Sequence, residues 1–105
     1  MIENDYFNKL MKIPAICGWT SSTLEIEECE EADNQIYVSS DIHKTKIDEM
    51  MIYSSLHSII IDCEDLLGDL LKDSEVIEND EENVSPYRLI LRVSTNTSET
   101  RTEEP

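Results

Sequence analysis

Three cysteines and two histidines are the side chains of this sequence best suited to nucleophilic or metal chemistry, and their spacing supports neither. Cys17, Cys29 and Cys63 are odd in number, widely separated and free of any C-x-x-C pair, so they read as reduced thiols acting as small hydrophobes. Zinc sites draw on closely spaced Cys and His ligands, a pattern that His43 and His57 do not complete. Cys17 lacks the flanking residues of a catalytic thiol, and Ser21 and Ser22 lack a G-x-S-x-G context. With no glycine-rich phosphate loop either, the expectation is a protein that is not an enzyme and binds no metal or cofactor.

What the chain has in excess is carboxylate. Twenty-four Asp and Glu oppose eight Lys and Arg, a formal charge of −16 in 105 residues, whereas solubility of a small domain needs only about 2 to 8 charges. The acid is gathered where base is missing: no Lys or Arg occurs in residues 13–43, 47–71 or 73–87. The first tract holds Glu25, Glu27, Glu28, Glu30, Glu31, Asp33 and Asp41. The other two hold Asp62, Asp65 and Asp69, then Asp73, Glu75, Glu78, Asp80, Glu81 and Glu82, together with Glu64 and the pair Asp48 and Glu49. Such crowding repels itself, so a partner with a basic surface is the expected reason for it, and direct binding of nucleic acid is excluded on charge.

The elements that must position these carboxylates follow from hydrophobic period. Phe7, Leu10 and Met11 fall on one side of a first short helix, with Asn4 or Asp5 as its cap and Pro14 closing it, and Gly18, Ser21 and Ser22 mark a bend. Leu24 and Ile26 alternate with Glu25 and Glu27, and Ile36 and Val38 alternate likewise in QIYVS; with EEADN between them, the two segments form a hairpin. Ile52, Leu56, Ile59, Cys63, Leu66 and Leu70 recur at steps of three and four, which predicts one long amphipathic helix over residues 46–72, with Thr45 and Asp48 as a capping pair. On that helix Asp62, Asp65 and Asp69 share an exposed flank, while Ile61 points away from the apolar stripe. Residues 73–84 carry no periodicity and read as a mobile acidic loop. Tyr87, Leu89, Leu91 and Val93 alternate with Arg88, Ile90 and Arg92 in a last strand.

The expected architecture is therefore α+β in the order α-β-β-α-β, a small antiparallel sheet packed on one long helix, with residues 1–93 forming one compact domain and residues 94–105 a disordered polar tail. The first residues carry no basic-then-apolar signal pattern and no apolar run approaches a membrane span, so the expected location is the cytoplasm. Scarce Gly with abundant Ile, Asn, Glu and Asp suits an AT-rich genome, such as that of a phage or a low-GC bacterium.

In size and charge the chain resembles two groups of small acidic proteins: phage counter-defence inhibitors, anti-CRISPR and anti-restriction proteins among them, and the immunity proteins that neutralise nuclease toxins. That resemblance implies a non-enzymatic inhibitor whose carboxylates occupy the nucleic-acid-binding surface of a nuclease or defence effector. The order of elements also resembles, more coarsely, roadblock-type scaffold modules and acidic secretion chaperones, which implies instead an adaptor that dimerises through its long helix. Trp19, Tyr37, Tyr53 and Tyr87 are the aromatic residues available to a contact surface.

Overall fold

The structure is a computed structural model that describes residues 7–18, 24–80 and 85–95. Its frame is a four-stranded antiparallel sheet built from β1 (Glu25–Glu28), β2 (Gln35–Ile42), β3 (Leu71–Glu78) and β4 (Tyr87–Ser94), in the order β1-β2-β4-β3. One face is covered by α2 (Ile52–Leu67) and by the short α1 (Ile13–Ile16). The architecture is the α+β one expected, with one strand more.

The core forms where the two periods meet. Val38, Ile42, Leu89, Leu91 and Val93 alternate along β2 and β4 and have no exposed surface. Against them α2 sets Ile59, Cys63 and Leu67, flanked by Ile52, Leu56, Ile60 and Leu66. Ile61 lies in the helix on its solvent side, as rotation of 100° per residue requires. Leu10 and Ile13 close the other side of the cluster, whereas Phe7 and Met11, expected beside Leu10, are exposed. Pro14 sits in the first turn of α1, where its missing N–H costs nothing, so it opens that helix rather than ending the turn at 7–10.

The long helix is shorter than the apolar stripe predicts, and both ends have a physical cause. Ile47 is extended and buried, which halts the chain between two 3-10 turns, and Asp48, not Thr45, caps the second by accepting the Met50 N–H at 3.0 Å. At the other end Gly68 takes φ 57°, a backbone open to glycine that terminates α2 and starts a 3-10 turn over Gly68–Leu70. The acidic loop expected from residue 73 is instead β3 as far as Glu78. Leu71, Ser74, Val76 and Glu78 turn to the helix side of this edge strand, and with two apolar side chains among them its alternation does not show. Ser94, expected to begin the tail, ends β4 and is buried. The tail from 96, the first helix cap, Trp19, Ser21, Ser22, Glu81 and Glu82 lie outside the described residues. Among the described residues no helix is long and apolar enough to cross a membrane.

All three cysteines are free and buried. Burial pushes the Cys17 thiol up to about 11, against opposing effects of Ser40 and Lys46, and the Cys63 thiol up to about 12, with the nearby Cys17 adding to it. Both lie above the ordinary 9.0, so the folded chain keeps protons that the unfolded chain releases, and stability falls as pH climbs past about 9. Urea midpoints measured from neutral pH to about pH 11 should therefore drop, and Cys63→Ala should flatten the drop. Leu91→Ala, at the centre of the sheet, should cost about 2–5 kcal/mol in the same assay, against under about 1 kcal/mol for Ile77→Ala at the rim.

Candidate acidic interaction surface

Strand register decides which carboxylates share a surface. Glu28 pairs with Ile36, Ile36 with Val93, and Val93 with Leu71, so the β1–β2 turn, the end of β4 and the start of β3 all lie at one end of the sheet. The chain enters β3 directly from α2, which brings the C-terminal half of that helix to the same end. Glu28, Glu30, Glu31 and Asp33 of the first tract thus lie at the same end as Asp62, Asp65 and Asp69 and as Asp73. Lys72 and Arg92 lie at that end too, whereas Lys44 and Lys46 follow Ile42 at the opposite end. Asp62 and Asp65 keep their helical spacing on the exposed flank, but Asp69 follows Gly68 and has left the regular helix, so the three do not form one straight ridge. Glu64 lies on the β3 side of α2, where it borders a hollow with Gly68, Leu71 and Lys72.

The remaining predicted residues divide between the two faces of the sheet. Glu25 and Glu27 lie opposite Ser39 and Tyr37, and Asp73 and Glu75 opposite Arg92 and Ile90, which puts all four carboxylates on the outer face, away from α2. Glu78 pairs with Tyr87 on the helix side, and Asp80 lies in the loop beyond β3. Two donors, Arg88 and Tyr37, tie the outer face together. Arg88 Nη2 meets Glu25 Oε1 at 2.8 Å and donates to Ser39 Oγ at 3.0 Å, while its Nη1 meets Asp41 Oδ1 at 2.7 Å. One guanidinium, only 18% exposed, therefore ties β4 to both β2 and β1. Tyr37 donates its phenol to Glu31 Oε1 at 2.7 Å, and that carboxylate, with Cys29, holds the phenol proton well above the ordinary tyrosine range.

A hollow of about 390 Å³ opens on this face, lined by Tyr37, Ser39, Ile77, Arg88 and Ile90, with Glu25 and Glu27 on one border and Glu75 on the other. Its apolar members escape a reading of sequence alone. Ile90 stands among outward arginines in the alternation of β4, and that misplaced isoleucine is the one signal of it. Nearby, Gln35 Oε1 and Arg92 Nε are buried with no hydrogen-bond partner among the described residues. The described residues contain no group of three His, Cys, Asp or Glu placed to hold a metal ion. His57 is exposed on α2, and Tyr53 is 85% exposed near its start.

Compared with known protein families, curated proteins and solved structures, the chain matches none. The surface presents fixed carboxylates at strand and helix spacing, a neutralised arginine and an apolar floor. Arg88→Gln leaves Asp41, whose side chain is 22% exposed, without its cation and should lower stability by about 1–3 kcal/mol. Glu25→Gln, at a carboxylate 63% exposed, should cost under about 1 kcal/mol, and urea unfolding of both variants reads the difference.

Proposed function

We propose that this protein is a non-enzymatic inhibitor that covers the basic nucleic-acid-binding surface of a nuclease or defence effector by imitating the charge of nucleic acid. The observation that carries the reading is the convergence of carboxylates from three separate tracts at one end of the sheet, where they outnumber the strand cations Lys72 and Arg92. Same-face carboxylates such as Glu25 and Glu27 recur about every 6.8 Å along a strand. That is close to two steps of about 3.4 Å along one strand of duplex DNA. Lys and Arg arrayed to hold phosphates would find charges at compatible intervals, held by a sheet rather than by a flexible chain. Location in the cytoplasm, beside such a target, belongs to the same proposal.

A different reading, an adaptor that dimerises through α2, is favoured by Met50, Met51 and Tyr53, which stand 92, 56 and 85% exposed around the helix start. Salt separates the two. Affinity capture from host extract, at about 0.05 and about 0.5 M salt, should retain a nucleic-acid-binding protein only at the lower concentration. Added duplex DNA should displace it, and Asp62→Lys with Asp65→Lys should weaken capture while the circular dichroism spectrum stays unchanged. A partner held equally at both salt concentrations and indifferent to DNA would remove mimicry and leave the adaptor.

A further inference from the structure

A sheet that simply turns one face to water carries polar side chains there. The outer face of this one departs from that pattern at its centre. Ile77 and Ile90 lie diagonally on neighbouring strands on the outward side, and Tyr37 lies diagonal to Ile90 on β2, beside Ser39. Ile77 is 37% exposed, and the three line a common hollow with Ser39. Around this floor the charges are arranged by strand. β1 contributes Glu25 and Glu27, β3 contributes Asp73 and Glu75, and the cations stand between them on β4. Arg88 is already held by Glu25 and Asp41, so it does not cancel Glu27 or Glu75. The face offers an apolar middle and two acidic borders.

We infer that this face docks a basic amphipathic helix of the partner, its apolar stripe on Tyr37, Ile77 and Ile90 and its Lys or Arg side chains on the carboxylates of β1 and β3. The inference rests on the reading above in that it names the element through which a basic partner engages. Dimensions favour a helix as the occupant. The outermost strands are three spacings apart, about 14 Å, and a helix with its side chains is about 10–12 Å across. Along the strand, Asp73 and Glu75 are about 6.8 Å apart, close to the rise of about 6 Å between helix positions i and i+4. An extended segment would pair with an edge and leave this face empty. A helix of opposite charge fits both the borders and the floor, and long lysine or arginine stems can cover apolar surface while their heads reach the rim.

The test uses a synthetic helical peptide with leucines in one stripe and lysines at i, i+4 on both sides, against a scrambled peptide of the same composition. Titration into the isotope-labelled full chain should move the amide signals of Tyr37, Ile77 and Ile90, and the scrambled peptide should bind about tenfold more weakly or worse. Glu27→Lys with Glu75→Lys should weaken the ordered peptide by a similar factor, whereas Glu49→Lys, in the exposed 3-10 turn ahead of α2, should leave sheet-face binding within about twofold. Ile77→Ser removes apolar surface without changing charge and should also weaken binding, which keeps the test decisive should the double reversal unfold the sheet. Equal binding of both peptides, or shifts confined to α2, would overturn the inference. Sheet-face binding combined with a captured partner that ignores DNA leaves this docking site standing and removes mimicry. DNA-sensitive capture with the peptide on α2 does the reverse.

Discussion

Burial of Leu89, Leu91 and Val93 beneath α2 makes β4 the strand on which both halves of the sheet depend. It receives β2 on one side and β3 on the other, so the hairpin from the first part of the chain and the strand that follows the helix meet only through it. Three apolar side chains of this size, fully withdrawn from water, outweigh any single surface charge by several-fold. Among the described residues the carboxylates are left outside, on the edges, the turn and the solvent side of the helix, while the interior remains almost wholly apolar. Ser40 and Ser94 are the buried polar exceptions.

The same strand organises the charges. Arg88 belongs to β4 by sequence and to the electrostatics of β1 and β2 by contact, and it is the cation that binds acid from both of them. Its contact with Asp41 is partly shielded from water and salt, whereas the one with Glu25 is open to both. Among the described residues the helix side shows no such ion pair. Asp62 and Asp65 project into solvent, so the two acidic regions differ in kind: one woven into the sheet, the other displayed on a rod.

How much of this could be read beforehand depended on whether hydrophobic period or backbone geometry made the decision. α2, β2 and β4 each carry enough buried apolar side chains to announce their own period, and β1 followed from pairing with β2. β3 did not, since Ser74 and Val76 give its inner face too little apolar character to separate it from a loop. The helix ends were set by the extension of Ile47 and the positive φ of Gly68, neither of which leaves a periodic trace. Carboxylate clustering was plain from composition, yet which carboxylates are neighbours was not. A strand places side chains on faces only when its partner and register are known, so the meeting of Glu25 with Asp41 at Arg88, and of the first tract with Asp73, waited for the fold.

Among the described residues charge is uneven along the strands: Glu28, Glu30, Glu31 and Asp73 crowd one end of the sheet, whereas at the other Lys44 and Lys46 offset part of the charge of Asp48, Glu49 and Glu78. An eight-residue strand is about 27 Å long, well beyond the screening distance of about 8 Å at physiological salt. A positively charged body therefore senses one end at a time, and torque aligns the molecule before any surfaces touch. Rotational search is shortened in the encounter, and the gain fades as added ions shrink the distance over which that torque acts.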